Sequence, residues 1–130
     1  MRIHDYFAYI ERGIRENHKI GFLTQPVIAK AFDAHHGLLK ATVHFWDGSQ
    51  LSLEEVVSTA SGYPEILRYS YTYHKDATHI FRYDNAPHHR EIPTFPHHKH
   101  SGANEIPSAS DKPSLARVFA EIEFYLTSES

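Results

Sequence analysis

The feature that most constrains the fold is a period-two alternation of apolar and polar residues, which recurs in separate runs between Leu39 and Tyr83. Side chains of a β-strand point alternately to its two faces, so this pattern is typical of strands that bury one face. In the first part of the region, the turn dipeptide Asp47-Gly48 separates two alternating runs, which predicts a hairpin. The apolar positions of the two runs are Leu39, Ala41, Val43 and Phe45, then Leu51 and Leu53.

A second hairpin is predicted from Ile66 to Tyr83, with its turn at Lys75-Asp76. Tyr69, Tyr71 and Tyr73 share one face of its first strand. Such a stripe is more typical of a sheet core than of a surface that stacks nucleic-acid bases, although tyrosine serves both purposes.

The carboxylates Glu54 and Glu55 interrupt the alternation of the first hairpin. One of them is therefore predicted to point inward, where a buried carboxylate needs a partner. Arg68 and Arg82, on the following strands, are the predicted partners.

Helical spacing of apolar residues flanks the strand region on both sides. It predicts a helix from Ile3 to Asn17 and another from Leu115 to Leu126, with Ser110-Asp111 as cap candidates and Pro113 in the first turn. Between the first helix and the hairpins, Ile20 to Phe32 is rich in β-formers but contains Pro26, which favours an edge strand. The predicted fold is a single α+β domain over residues 1–130, with an antiparallel meander of about five strands between the two helices.

The segment from Asn85 to Pro113 contains five prolines and one glycine. Proline removes a backbone donor, so this density predicts one long loop rather than a helix or a central strand. The same segment contains five histidines within 13 residues, from His88 to His100. This His/Pro-rich loop is expected to pack on the sheet and to carry the function.

Composition excludes several classes of protein. The chain has no cysteine, so disulfides and thiolate metal sites are excluded and a cytoplasmic setting is expected. No apolar stretch approaches the roughly 20 residues of a membrane span, so no membrane partner is expected. The formal net charge is -3 with neutral histidines, which argues against coating nucleic acid by bulk charge and leaves only local contacts with RNA.

Three interpretations of the histidines compete. Four of them, with Asp84, could bind a metal, but loop histidines have no enforced spacing. They could instead cleave RNA without a metal, since imidazole serves as base and acid near neutral pH and Arg82 and Lys99 supply positive charge. They could also only anchor the loop to backbone carbonyls. The histidines elsewhere in the chain fit this structural role better.

The residues of the segment resemble a known family. The runs RYDNAPHH (82–89) and TFPHHKH (94–100) resemble the toxins of TumE-type toxin–antitoxin modules, and FWDGSQLSLEEVV (45–57) and SLARVFAEIE (114–123) are also similar to that family. The similarity extends from about Leu38 to Tyr125. It implies a toxin that cleaves RNA, with the ribosome as a candidate location, and that a helix-turn-helix antitoxin neutralises by binding. We further predict that the antitoxin covers or distorts the His88 to His100 loop.

We therefore predict a toxin that is a metal-independent endoribonuclease and needs no cofactor. The alternatives are a non-catalytic partner-binding module and a histidine-coordinated metal protein. The predicted catalytic residues are His88, His97, His98, His100 and Arg82. The predicted substrate-binding residues are Lys99, Tyr71, Tyr83 and Asp84.

Overall fold

The structure, a computed structural model, describes residues 1–16, 21–23, 27–102 and 106–128. Within these residues the chain forms two helices and eight strands. The helices are α1 (Ile3–Glu16) and α2 (Leu115–Ser128). The strands are β1 (Gly21–Leu23), β2 (Ile28–Ala31), β3 (His36–Phe45), β4 (Ser49–Ser58), β5 (Glu65–Lys75), β6 (Thr78–Asp84), β7 (His98–Ser101) and β8 (Ile106–Ala109).

All strands belong to one antiparallel sheet in the order β1-β3-β4-β5-β6-β7-β8, and β2 pairs with β3 on the same side as β1. Strands β3 to β8 form a meander in which each strand pairs with the next. The predicted α+β class, the flanking helices and both hairpins are confirmed. The predicted number of about five strands is wrong, because the sheet extends further at both ends.

At the N-terminal end, the predicted edge strand is present as two short strands in line. β1 pairs with the second half of β3 and β2 with the first half, so each covers part of one edge. Pro26, on which the edge prediction depended, lies outside the described residues.

At the C-terminal end, the prediction of one long loop from Asn85 to Pro113 is wrong, because the segment contains β7 and β8. The prolines are not evenly spread. β7 contains none, so it can pair on both sides, with β6 and with β8. Pro107 lies in β8, the outermost strand, where a missing N–H costs least.

A single core lies on one face of the sheet, beneath both helices. Inward-facing residues of the central strands pack against the buried face of each helix, and Phe45 of β3 contacts Phe119 of α2 edge to face. Helix α1 crosses β3 at Gly37, where an added Cβ would lie 2.6 Å from Phe7 Cζ and 2.8 Å from the Lys30 carbonyl oxygen. Only glycine permits this close approach.

Glu55 is the inward-pointing glutamate, with 1% of its surface exposed, as the alternation of β4 predicts. Its predicted arginine partners are wrong, however. Its two oxygens accept hydrogen bonds from the hydroxyls of Tyr6 and Tyr71, each at 2.5 Å. Burial, and then the nearby Glu55 carboxylate, raise the pKa of both phenols. The tyrosine hydroxyls therefore satisfy the buried acid within the core.

The opposite face of the sheet carries no helix among the described residues, and most of its outward positions are polar, with apolar exceptions such as Leu38 and Val56. Neither described helix is long and apolar enough to cross a bilayer. His98 and His100 of β7 project from this open face, as do Arg82 and Asp84 of β6.

Candidate active site

The pairing of β6 with β7 gathers four of the predicted site residues on the open face of the sheet. Arg82 lies opposite His100, and Asp84 lies opposite His98. Directly opposed residues of an antiparallel pair project from the same face, so these four side chains are neighbours. A loop at this position, as predicted, would not bring these side chains together. Strand β7 does so, because its pairing with β6 fixes which residues lie opposite each other.

Asp84 contacts the other three residues of the group, and its side chain is only 9% exposed. Its Oδ1 lies 3.0 Å from His98 Nε2 and accepts the backbone N–H of Ala86 at 2.9 Å. Its Oδ2 accepts a hydrogen bond from Arg82 Nε at 2.9 Å and lies 3.6 Å from His100 Nε2. One buried carboxylate thus holds two imidazoles and a guanidinium in fixed positions.

His98 is almost completely buried, and oxygen atoms face both of its ring nitrogens. Nδ1 lies 2.8 Å from the Pro96 carbonyl oxygen, and Nε2 faces Asp84. Both ring nitrogens of His98 are therefore engaged by oxygen atoms, which fixes the orientation of the ring.

His89 completes the cluster from the turn segment between β6 and β7. Its ring centroid lies 5.3 Å from that of His98 and 5.6 Å from that of His100, and the last two are 4.8 Å apart. One nitrogen from each of the three rings lies within 4.8 Å of the others. We call His89, His98 and His100 together with Asp84 the histidine–aspartate centre.

Sequence reasoning did not place His89 among the catalytic residues. Its backbone φ is 59°, a left-handed conformation that non-glycine residues rarely adopt and that spacing does not reveal. The available signal was that His89 belongs to the RYDNAPHH run.

The turn segment that carries His89 is tied to the sheet by side chains. Asn85 accepts the Tyr69 N–H through Oδ1 at 2.9 Å and donates from Nδ2 to the Leu67 carbonyl at 3.0 Å. At the other end, Thr94 Oγ1 donates to the His97 carbonyl and accepts the Ser110 N–H. These bonds replace ladder pairing and tie the two ends of the turn segment to the rest of the fold.

His97 does not join the centre. It directly precedes β7 and lies on the helix side, where its ring stacks on Tyr69 and its Nδ1 is 3.1 Å from the Tyr69 hydroxyl. Burial, and then the nearby Lys112 ammonium, lower the pKa of His97. His88 is exposed beside the centre, with its ring 6.4 Å from that of His89.

Lys99, Tyr83 and Tyr71 also face the helices rather than the centre. Lys99 Nζ contacts Glu121 Oε2 of α2 at 2.6 Å and lies over the rings of Phe81 and Tyr83. Tyr83 donates from its hydroxyl to Glu121 Oε1 at 2.5 Å. Tyr71 is 1% exposed and Tyr83 is 3% exposed. Their positions give no support to a direct role in substrate binding, which stays a sequence prediction.

An open groove of about 530 Å³ lies beside the centre on the same face. Thr72 and Ser70 line its nearer side, and in the sheet they lie opposite Arg82 and Asp84. Its other lining residues are Ile28, Lys40, Ala41, Thr42, His44, Ser52, Leu53 and Glu54. A ligand bound in the groove would therefore reach the centre across a single strand spacing, about 5 Å.

The fold and the site define a two-layer α+β protein with a polar, histidine-rich centre on the uncovered face of its sheet. The chain belongs to the TumE toxin family: the family model described as Toxin TumE matches residues 10–126, which include the second half of α1 and all the described strands. The chain is therefore assigned to a family of toxins, and such a toxin has an antitoxin as its partner. Comparison with curated proteins and with solved structures gives no match.

Proposed function

We propose that the protein is the toxin of a toxin–antitoxin module and acts as an endoribonuclease at the histidine–aspartate centre. The observation that carries the proposal is the convergence of three imidazoles, a carboxylate and the Arg82 guanidinium beside an open polar groove. The family assignment supports the toxin role, and the chemistry of the centre supports the reaction.

Cleavage of RNA without a metal needs a base, an acid and a cation. The base removes the proton of the ribose 2′-hydroxyl, whose oxygen attacks phosphorus; the bond from phosphorus to the 5′-oxygen breaks, and the acid gives that oxygen a proton. In this proposal His100 and the partly exposed His89 exchange these protons. Arg82 stabilises the charge that develops on the phosphate oxygens.

His98 has a different part in this proposal. Its two ring nitrogens are engaged by Asp84 and by the Pro96 carbonyl, so it is a positioning residue that orients the carboxylate and the adjacent ring of His100. The reaction needs no cofactor in this scheme.

RNA would approach over the open face, because the helices cover the other one. Its backbone would lie along the groove, with the ribosome as a candidate location for cleavage. The partner that neutralises the toxin is proposed to be a helix-turn-helix antitoxin that covers the turn segment from His88 to His100. The acidic net charge of the chain limits RNA contacts to local ones such as Arg82.

Cleavage is tested with purified protein and a short single-stranded RNA, and in cells by mapping RNA ends after induction. His100→Gln is expected to lower the cleavage rate by about 10²–10⁴-fold, the usual contribution of a general acid or base. His97→Gln, on the other face, is expected to retain most of the activity.

His74→Gln serves as the matched control, because His74 lies on the same open face but in β5, away from the centre. Thermal melts establish that each variant is folded. Growth arrest with intact RNA in wild-type cells would instead support a non-catalytic module that acts by binding a partner. Equal cleavage by wild type and His100→Gln would remove the centre from the mechanism.

A further inference from the structure

We infer that the histidine–aspartate centre is also a binding site for a divalent transition-metal ion of the zinc class. The inference goes beyond the proposed function and does not depend on it. It starts from the arrangement of donors: His89, His98 and His100 each offer one nitrogen, and all three lie within 4.8 Å of one another.

The hydrogen bonds around His98 are of the kind that metal-binding histidines make. In such sites the ring nitrogen that does not bind the metal donates to a backbone carbonyl or a carboxylate, which fixes the tautomer. His98 Nδ1 lies 2.8 Å from the Pro96 carbonyl oxygen, which leaves Nε2 as the ligand atom. That atom and Asp84 Oδ1 are 3.0 Å apart, which suits two ligands of one ion as well as a hydrogen bond.

The size of the cluster is also compatible with an ion. Zinc–nitrogen bonds of about 2.0–2.1 Å in a tetrahedral site bring the ligand atoms to roughly 3.4 Å from each other. The ligand atoms, which lie within 4.8 Å of one another, therefore need to approach by up to about 1.4 Å. His89 is the ring that can move, because it comes from a turn segment and its side chain is 34% exposed. That exposure also provides the path by which an ion enters.

The donor set selects the class of ion. Imidazole nitrogens favour zinc, copper and nickel, whereas magnesium and calcium require mainly oxygen ligands. Arg82 opposes any cation by its charge, but it hydrogen-bonds Asp84 Oδ2 and so leaves Oδ1 directed at His98. Glu91 lies 3.5 Å from His89 Nδ1 and adds a negative charge at the entrance.

Metal binding has a consequence for the proposed reaction, and this consequence does rest on the proposed function. A nitrogen whose lone pair binds a metal cannot accept a proton from RNA. A bound ion would therefore inhibit cleavage, and a chelator would restore it. The centre would then have two exclusive states, a metal-free active one and a metal-bound inactive one.

Binding is tested on untagged full-length protein that has been stripped with a chelator and dialysed. Cobalt(II) is titrated as the spectroscopic probe, and zinc is then added to displace it. Wild type is expected to bind one cobalt ion per chain with the visible absorption of a tetrahedral site. His89→Asn, which keeps a residue that tolerates the left-handed backbone, and His100→Gln are each expected to weaken binding by at least about 10-fold.

His88→Ala is the matched control, because His88 is adjacent to His89 in sequence but exposed and outside the cluster. This variant should bind cobalt(II) with the same affinity as wild type. Absence of cobalt binding by wild type, or an affinity unchanged in either variant, overturns the site. Stabilisation of wild type by zinc in thermal melts gives a second measure that does not require RNA. Metal binding without any RNA cleavage would overturn the proposed function but support the metal site. RNA cleavage without metal binding would overturn the metal site but support the proposed function.

Discussion

Two buried carboxylates on opposite faces of the sheet illustrate how a single residue is set to its role. Glu55 lies in the core and is satisfied by two phenol hydroxyls, which can donate to it but are held from ionising by burial. Asp84 lies on the open face and is satisfied by groups that carry or can carry positive charge, Arg82 and His98. The first is a structural acid, and the second organises a site.

Removing Glu55 is expected to destabilise the fold strongly. Glu55→Ala leaves the hydroxyls of Tyr6 and Tyr71 without their acceptor, at about 1–3 kcal/mol for each buried group left unpaired. Urea denaturation measures the loss in free energy of unfolding. Glu54→Ala, one position along the strand but exposed, is the control and should change stability by less than about 0.5 kcal/mol. Equal losses from the two substitutions would contradict the role given to the buried acid.

At the scale of elements, the contact between β7 and α2 links the site strand to the core. Lys99 projects from the side of β7 opposite to the histidines and meets Glu121 of α2. Burial alone would lower the pKa of Lys99, but the hydrogen bonds with Glu121 and Tyr83 outweigh it and raise the pKa. The same short strand is therefore held on one face by an ion pair and presents the centre on the other.

The raised pKa of Lys99 makes this contact dependent on pH. A group whose pKa is raised in the folded state contributes its full stability below the unfolded pKa, here 10.5, and loses it as the pH rises through the folded value. At about pH 8, Glu121→Gln is expected to be less stable than wild type by about 1–2 kcal/mol, the size of a hydrogen bond to a charged group.

That gap should narrow above about pH 10.5, because wild type then loses the stabilisation that the variant already lacks. Urea denaturation midpoints of wild type and Glu121→Gln, at about pH 8 and above about pH 10.5, measure this difference in stability. Glu123→Gln, on the exposed side of α2, is the control. A gap that stays constant across this range would mean that Glu121 does not set the pKa of Lys99.

Elements were predicted well where a pattern repeats over many residues, as in the two hairpins and both helices. β7 and β8 were missed because four-residue strands are too short for a period to be read and because prolines surround them. The site residues were recognised as a group from their chemistry. Which of these residues converge was not recognised, because the assignment of His98 and His100 to one face and of Lys99 to the other follows from pairing with β6. The position of His97 follows from its contact with Tyr69, which spacing does not reveal.

At the scale of the whole molecule, the fold separates stability from function by face. The helices and the apolar core occupy one side of the sheet, and the groove and the histidine–aspartate centre occupy the other. Substitutions on the open face can therefore alter ligand binding without disturbing the core. The sequence contained this division in its alternation, but the polar positions of β3 to β5 alone did not indicate that they form a groove.

A negative charge placed in the groove is expected to weaken RNA binding. Thr42 is exposed and lines the groove, and Thr42→Glu would repel a phosphate by about 1 kcal/mol, which corresponds to about fivefold in affinity. Fluorescence anisotropy with a short single-stranded RNA measures it, and high salt should reduce the difference. Ala8→Glu, exposed on α1, makes the same change in net charge on the helix side and should have little effect. If both variants bind equally well, RNA does not use the open face.

The two outer borders of the sheet are both unsuited to recruiting further chains. One is divided between β1 and β2, and the other is the four-residue β8 with a proline at its second position. Unpaired strand edges are templates for intermolecular pairing, and short or proline-containing edges suppress it. The two described borders of the sheet therefore disfavour the growth of fibrils by strand addition, although one whole face of the sheet is left without a covering helix in the described part of the chain.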